Sequence, residues 1–404
     1  MTTGYGHLFS PFPLGPLEAR NRVVLAPMTV AYADLNGYVS DAEIEHYGRR
    51  AQGGAGLVVT EHFTVNLAGR QLPHQTVVDD RSHLPGLARL AREVHRHGAL
   101  IVAQIGHAGR YAGPWDSYDR ERRLAPSAVP FRLAGERVVT PQEITSAEIA
   151  HTITAFGNAA HILAEAGFDG VQIHASQGFL PSQFLSPRMN RRADAYGGDY
   201  LGRVKFLLEA VAEIRRRTDP GFLLGVQLLG DEVTDGGWGL AEAARLACDL
   251  EASGVDFLLP SVTTFETVSG LTSHGEYRRW GYQLGAAIAI RAAVSIPVIA
   301  NGGITDPQLA DDLIGHGLVD ALGLARALLV DPDWPTKVAQ GRLSEVRTCD
   351  CTPPTCLRTQ LTGTVCHSWP EAAQAAGFLG YASSEASESA PPADADITAA
   401  PASA

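Results

Sequence analysis

Eight short apolar runs recur along the chain, each followed by a helical pattern. The runs are RVVLAP (22–27), GLVVTE (56–61), LIVAQIG (100–106), DGVQIH (169–174), FLLGVQLL (222–229), DFLLPS (256–261), PVIANG (297–302) and ALGLAR (321–326). Short apolar runs that alternate with helices predict parallel strands joined by right-handed crossovers. Eight such units predict an α/β fold, a single closed (β/α)8 TIM barrel.

The helical patterns between the runs carry ordinary end signals. Several begin at an Asp or Ser that can cap the helix, and several end at Gly. The segments are DAEIEHYGRRAQ, SHLPGLARLAREVHRHG, SAEIAHTITAFGNAAHILAEAG, GRVKFLLEAVAEIRRRT, LAEAARLACDLEASG and DPQLADDLIGHG. A chain of 404 residues that is 45% hydrophobic has ample material for one large barrel core.

Three regions of different composition follow one another. We assign residues 1–345 to the barrel, including an excursion at 107–145 after the third strand that we expect to cap the site, with a small hairpin around LAGERVVT. Residues 346–382 form a Cys-rich segment that we expect to pack on or beside the barrel. Residues 383–404 are Ala, Ser, Pro and acidic residues, which predicts a disordered tail.

The charge pattern excludes some classes of function. The formal net charge is 32 minus 44, or -12, and five of the acidic residues lie after Arg358, where no Lys or Arg follows. The barrel is therefore only mildly acidic, and we expect no nucleic-acid surface. The first residues show no leader pattern and no run could span a bilayer, so we expect a cytoplasmic protein without membrane contact.

The ends of the strands are where a TIM barrel carries its chemistry. The fourth run places His174 at its end and continues into a polar loop, up to Arg203, that contains SQFLSP, N-x-R and D-x-YGG. These motifs, with others in the same order over roughly residues 7 to 342, resemble the old yellow enzyme family of FMN-dependent oxidoreductases. The likeness extends in part to its bacterial dienoyl-CoA reductase branch.

The resemblance implies a set of FMN-binding positions. Gln104, followed by the H-x-G-R motif at His107, matches the residue that hydrogen-bonds the pyrimidine half of the flavin. Thr60 and Glu61 match the family's T-E pair. The remaining implied positions are Ala26, Pro27, Met28 and Thr29 along one flavin edge, His62, His174 and Gln227, and Gly302, Gly303, Ala325 and Arg326 around the phosphate. His62 stands where relatives have a small residue; its bulk would shape the pocket, although an ordinary packed histidine is the alternative.

Three positions depart from the family pattern near the substrate. His174 and a second His or Asn usually hold the substrate carbonyl; here the second position is Gln177. Relatives have a Tyr that gives a proton to the alkene, and this chain has Phe179, which cannot donate. Gln227 falls where relatives place an Arg beside the flavin, so we expect this flavin to be harder to reduce.

Four of the five cysteines, Cys349, Cys351, Cys356 and Cys366, lie within eighteen residues. Their pattern, C-x1-C-x4-C-x9-C, resembles but does not equal the C-x2-C-x3-C-x11-C of the iron-sulfur site in the dienoyl-CoA reductase branch. An iron-sulfur cluster, a zinc ion and ordinary free thiols stay open as alternatives. A secreted disulfide framework does not fit this crowding.

The sequence thus predicts an FMN-dependent oxidoreductase that acts on a small molecule. The reading that the resemblance favours is an ene-reductase in which NADH or NADPH reduces FMN, which then passes hydride to a carbonyl-activated double bond. The alternatives are an FMN-dependent dehydrogenase or oxidase, for which Phe179 is harmless, and a redox-impaired barrel that only binds a ligand. The substrate, an external electron donor and the oligomeric state stay open.

Overall fold

The computed structural model describes residues 4–113, 123–132, 138–267, 281–349, 351, 356, 361 and 363–369. Its centre is a sheet of eight parallel strands, numbered here as barrel strands one to eight. They are Val23–Leu25, Leu57–Thr64, Leu100–Gly106, Gly170–Ala175, Leu223–Asp231, Phe257–Val262, Ile299–Ala300 and Ala321–Leu324. Each coincides with one of the eight apolar runs of the sequence.

The strands follow chain order around the sheet. Strands six, five, four, three, two and one lie side by side, and strand one pairs with strand eight, which pairs with strand seven. Between strands six and seven, a single bridge joins Leu258 and Val298, and the Leu258 amide donates to Pro297 at 2.9 Å. The predicted TIM barrel is therefore confirmed as a nearly closed barrel.

Helices surround the barrel, and four of the described α-helices begin at side-chain caps. Asp306 is a cap that the sequence predicts, whereas Ser40, Thr145 and Asp199 lie one to three residues before the predicted helix starts. Ser40, Thr145, Asp199 and Asp306 each accept a backbone N–H at a helix start, and Thr145 forms a full capping box with Glu148. The helices are Asp41–Gln52, Leu84–Arg96, Ser146–Glu165, Leu180–Leu185, Tyr200–Arg217, Leu240–Ala252, Leu284–Arg291, Pro307–Gly315, Arg326–Val330 and Trp334–Ala339.

The amino-terminal end of the barrel is plugged by a hairpin. Strands Phe12–Leu14 and Leu17–Ala19 pair antiparallel, and Phe12, Leu14 and Ala19 are buried in one cluster with inward side chains of the barrel. Val24, Leu57, Val102, Phe257 and Ala321 are among the partners, so the cluster reaches from the first barrel strand to the eighth. The hairpin therefore leaves the opposite, carboxyl end of the barrel as the place for a functional site.

The excursion after strand three carries two small strand pairs. Phe131–Arg132 pairs antiparallel with Val138–Val139, as the predicted hairpin requires, and Leu124–Ala125 pairs with Gln142–Glu143. Residues 114–122 and 133–137 of this excursion, and the predicted tail at 383–404, lie outside the described residues. No helix in the described part of the chain is long and apolar enough to cross a membrane.

Candidate functional site

Backbone strain concentrates at the carboxyl end of the barrel. Among the residues that the structure describes, four other than glycine have positive φ, and each lies in a loop that leaves a barrel strand: Ala31, Gln177, Val233 and Thr263, with φ from 54° to 76°. Such conformations cost about 1–3 kcal/mol each and persist only where surrounding contacts hold them. Their common location marks this end as the candidate active site.

A row of buried polar side chains crosses four neighbouring strands at this end. The Gln104 amide nitrogen donates to Oε1 of Gln172 at 2.8 Å and to Oε1 of Gln227 at 2.6 Å. Gln227 Nε2 in turn donates to Ser261 Oγ at 2.8 Å. Strands three, four, five and six each contribute one member. We call Gln104, Gln172, Gln227 and Ser261 the amide row.

The amide row is incomplete by itself. Gln172 Nε2 is buried with no hydrogen-bond partner among the described residues, and so is Oδ1 of Asn301, at the end of strand seven. Within the described part of the chain, the Asn301 side chain makes one long hydrogen bond, 3.4 Å from Nδ2 to the Pro260 carbonyl. Because an unpaired buried polar atom costs about 1–3 kcal/mol, a donor and an acceptor here point to a polar ligand.

His174 lies at the end of strand four, directly beside Gln227 in the strand register. Burial lowers the pKa of His174 well below its ordinary value, with a further lowering from the charge of His62. Ser176 Oγ lies 3.3 Å from its Nδ1, and the Gln177 side chain is hydrogen-bonded to the ring. His174 is therefore a neutral imidazole at neutral pH.

Phe179 covers His174. The two rings are stacked with centroids 4.1 Å apart, and the Phe179 side chain is buried. His62 packs edge-on against both, at 4.8 Å from Phe179 and 5.7 Å from His174. Burial lowers the pKa of His62 to about 4, and its Nε2 is 3.0 Å from Gln71 Oε1. The structure therefore brings together His62, His174, Gln177 and Phe179.

The first loop, residues 26–32, runs from strand one along the edge of this site. The Val30 and Ala31 amides donate to Glu61 Oε2 at 2.9 and 3.0 Å. On its other side, Thr364 donates its amide to the Val30 carbonyl and its hydroxyl to the Thr29 carbonyl. Glu61 thus fixes the loop that contains the predicted positions Ala26 to Thr29.

Glu61 is also one of two buried carboxyl groups. Burial raises the pKa of Glu61 to about 7 and raises that of Glu43, its neighbour, well above the ordinary value. Thr76 donates to both Glu43 oxygens at 2.9–3.0 Å, and the Glu61 amide donates to the Tyr47 hydroxyl at 2.7 Å. Glu61 Oε1 has no partner in the described part of the chain.

The predicted phosphate positions lie at the ends of strands seven and eight. Gly302 and Gly303 have φ of 100° and 86°, which favours glycine, and a Cβ on Gly303 would meet only open space. Arg326 begins a short helix directly after strand eight. The Gly323 backbone packs against Ala26 and Asn301, so the ends of strands one, seven and eight are adjacent.

The four cysteines lie beside this corner. Cys349, Cys356 and Cys366 pack in one cluster with Leu329, Val330 and Trp369, and Met28 of the first loop contacts it. The pKa of Cys356 is raised to about 11, first by burial and also by the neighbouring Cys349, Cys351 and Cys366, although Arg326 acts to lower it. Cys351 Sγ is 2.9 Å from Nδ1 of His367.

The four thiols are neighbours, but no three of their sulfur atoms all lie within 4.8 Å of one another. In the part of the chain that the structure describes, the only three His, Cys or acidic ligand atoms within 4.8 Å of one another belong to Asp79, Asp80 and His83. A tetrahedral zinc site with bonds of about 2.3 Å holds its sulfur atoms roughly 3.8 Å apart. The cysteines are more widely spread than such a site requires.

Sequence reasoning missed several residues of the site. Gln172 and Ser261 were visible only as polar letters inside the apolar runs DGVQIH and DFLLPS, and Glu61 was noted without a role. Asn301 precedes the predicted glycines. A polar residue near the end of an otherwise apolar run was the available signal, because alternate residues of a barrel strand point inward.

Comparison with known proteins agrees with this geometry. The pattern of the NADH:flavin oxidoreductase / NADH oxidase family matches residues 7–345. The chain is 36% identical to an NADH oxidase of Thermoanaerobacter brockii over 86% of its own length and 53% of the relative. It is 35% identical to an NADPH dehydrogenase of a Geobacillus species, over 82% of the chain and 94% of that relative.

A solved structure of 2-naphthoyl-CoA reductase in complex with 2-naphthoyl-CoA superposes with a TM-score of 0.84 at 27% identity, covering 92% of the chain and 58% of that protein. The chain thus spans about half the length of the NADH oxidase and of this reductase.

Proposed function

The chain belongs to the NADH:flavin oxidoreductase / NADH oxidase family, and on that premise we propose that it binds FMN and reduces a carbonyl-activated double bond. A reduced nicotinamide, NADH or NADPH, is the electron source in this proposal. The observation that carries it is the amide row beside His174, with Gln172 Nε2 and Asn301 Oδ1 buried and unpartnered among the described residues. A flavin ring offers fixed donors and acceptors that could satisfy both atoms.

The residues present fit such a cofactor. Gln104 and Gln227 would face the pyrimidine half of the ring, with the first loop along one edge. Gly302, Gly303, Ala325 and Arg326 would receive the phosphate, since backbone amides and one cation suit an anion. Bound FMN would supply two-electron hydride transfer.

The chain's own groups would act on the carbonyl. His174, neutral because its pKa is lowered by burial, keeps one N–H, and Gln177 adds a neutral amide. Both can donate to a carbonyl oxygen and stabilise the negative charge that develops there when hydride reaches the far alkene carbon. The proton that completes the saturated product must then reach the carbon beside the carbonyl.

Phe179 cannot supply that proton. A phenolic hydroxyl close to this loop is that of Tyr111, which contacts Gly178, but it is engaged by Arg110 at 3.1 Å and Glu266 at 3.4 Å. Burial raises the pKa of Tyr111 to about 12. In our proposal solvent delivers the proton. The same observation favours a second candidate, an oxidative dehydrogenase or oxidase, in which no alkene carbon is protonated.

We further propose that the four cysteines bind an iron-sulfur cluster. Their convergence around Cys356, next to Arg326 and Met28, supports this assignment. Their spread beyond 4.8 Å suits a cluster of several metal ions better than one zinc ion. A cluster at this place would lie beside the first loop, which the proposed flavin contacts.

One experiment tests the proposed function. The purified protein is mixed anaerobically with NADH and then NADPH while its visible spectrum is recorded, and an enone is added afterwards. We expect a flavin spectrum that is bleached by a reduced nicotinamide and restored by the enone. Bleaching without reoxidation by any enone would favour the oxidative candidate, and a colourless protein would favour a barrel that only binds a ligand.

A further inference from the structure

Four aromatic side chains from different elements converge above the candidate site. Tyr111 follows strand three, Phe131 lies in the excursion, Phe179 follows strand four and Phe265 follows strand six. Tyr111 is 5.3 Å from Phe131 and 5.1 Å from Phe265, both edge-on, and Phe265 is 5.7 Å from Phe179. We call these four residues the aromatic wall.

One member of the wall is left open. Phe265 is 44% exposed, whereas the other three rings are buried. Its position is nevertheless fixed, because Thr264 forms a β-bridge with Gln177 and the Phe265 amide donates to the Gln177 carbonyl at 3.2 Å. An exposed phenyl ring held against the residue that would bind the substrate carbonyl is apolar surface directed at the substrate.

The guanidinium of Arg110, which packs against the aromatic wall, is paired with the carboxylate of Glu266. The Arg110 guanidinium lies over Tyr111 at 5.2 Å and Phe131 at 4.9 Å, and its side chain is 3% exposed. Its Nη2 donates to Glu266 Oε1 at 2.5 Å. An anionic group at the wall would meet Glu266 and find Arg110 already engaged, so the wall suits an uncharged group.

We propose that the aromatic wall binds an uncharged aryl group of the substrate. This inference rests on the proposed function, which puts the substrate carbonyl at His174 and Gln177. Phe179 stacks on His174, and Phe265 lies tilted beside Phe179 at 5.7 Å, so an aryl group bound at the wall would lie next to the carbonyl position. The substrate class is then an unsaturated ketone with an aryl group on the alkene carbon remote from the carbonyl.

The test compares two ketones that differ only in that group, 4-phenyl-3-buten-2-one and 3-penten-2-one, with the holoenzyme. We expect kcat/KM to be at least tenfold higher for the phenyl ketone, because burial of a phenyl ring favours binding. Phe265→Ala should remove about tenfold of kcat/KM for the phenyl ketone and leave the methyl ketone within twofold. Leu201→Ala, which removes an exposed leucine from the helix Tyr200–Arg217, is the matched control and should change neither.

A second variant tests the charge argument. A carboxylate on the phenyl ring should remove the higher kcat/KM that the phenyl ketone has over the methyl ketone. Glu266→Gln should raise kcat/KM for the carboxylated ketone at least fivefold, since Arg110 then becomes available. Equal kcat/KM for the two ketones, unaffected by Phe265→Ala, would overturn the inference and leave the proposed function standing.

A binding measurement distinguishes failure of the proposed function from failure of the aryl-binding inference. The saturated ketone 4-phenylbutan-2-one cannot be reduced at an alkene, and its dissociation constant is measured by calorimetry. If neither unsaturated ketone is reduced but Phe265→Ala weakens this binding about tenfold, the proposed function is wrong and the wall is an aryl site. If the saturated ketone does not bind at millimolar concentration, the aromatic wall is not an aryl-binding site.

Discussion

Gln104 and Gln227 are joined by a hydrogen bond of 2.6 Å between their side chains, across the ends of strands three and five. If the proposed flavin site is correct, two neutral amides stand where the resemblance implies an amide and a cation. A neutral group stabilises the anion of a reduced flavin less than a guanidinium does. The first prediction follows from this pair.

Gln227→Arg should raise the flavin reduction potential by at least 30 mV, which for a two-electron couple corresponds to about 1.4 kcal/mol. The potential is measured by anaerobic spectroelectrochemical titration. Gln227→Met, which has similar size and no charge, should lower it or leave it unchanged. If the Arg variant has the wild-type potential, Gln227 does not face the flavin.

Phe179→Tyr should accelerate turnover of a simple enone. A positioned general acid contributes a factor of about 100 to 10,000, so even a poorly aligned hydroxyl should be measurable in single-turnover kinetics. Phe265→Tyr adds a hydroxyl to the neighbouring ring, which is not stacked on His174, and should have little effect. Flat or slower turnover in Phe179→Tyr would support the oxidative candidate.

Arg326→Ala should weaken FMN binding at least tenfold. A hydrogen bond to a charged group contributes roughly 1.5–3 kcal/mol, and this variant removes the predicted cation at the phosphate. Titration of apoprotein with FMN, followed by flavin fluorescence, measures the dissociation constant. Arg342→Ala, which breaks a surface pair with Glu345, provides the control. Equal affinities in both variants would mean that the phosphate binds elsewhere.

Cys356→Ser should abolish metal binding, because it removes one thiolate ligand from a buried position close to the other three cysteines. Elemental analysis of protein purified without oxygen should show iron and sulfide in the wild type. Cys248→Ser changes the exposed cysteine on the helix Leu240–Ala252 and should retain the metal. A fully active wild type without metal would remove the cluster from the mechanism.

Glu61→Gln should reduce the pH dependence of stability between about pH 4.5 and 7, to which the buried neighbour Glu43 also contributes a part. Because burial raises the pKa of Glu61 to about 7 from 4.5, the protonated form is favoured in the fold. Its contribution is full below the unfolded pKa and is lost as the pH rises to 7, on the order of 3 kcal/mol. Melting temperatures of both proteins across this range, with the exposed Glu18→Gln as control, measure it. Parallel curves for wild type and Glu61→Gln would contradict the buried carboxyl as the cause.

The barrel was predictable because its signal is repetitive. Eight apolar runs and six helical patterns each specify an element locally, and for these elements only the boundaries shifted, as where strand one shortens to Val23–Leu25. The helix Leu180–Leu185 was not predicted, since LPSQFL is short and lies inside a loop. Local patterns fix elements, and the fold class follows from their order.

The site was less predictable because it depends on contacts between distant segments. His174 and Gln104 could be singled out from the family pattern, but the partnership of Gln172 with Gln104 joins residues 68 positions apart. The place of Phe265 beside Tyr111 likewise depends on how the loop after strand six pairs with Gln177. Composition and spacing carry no information about such pairings.

The amino-terminal hairpin has a consequence for how the chain folds. Its apolar residues pack on side chains that come from barrel strands spread between Val24 and Ala321, so its docking surface is incomplete until the whole barrel has assembled. Contacts of such long sequence separation form late. Mutations at Phe12 or Leu14 should therefore hasten unfolding far more than they slow refolding, because the hairpin docks among the last elements of the fold.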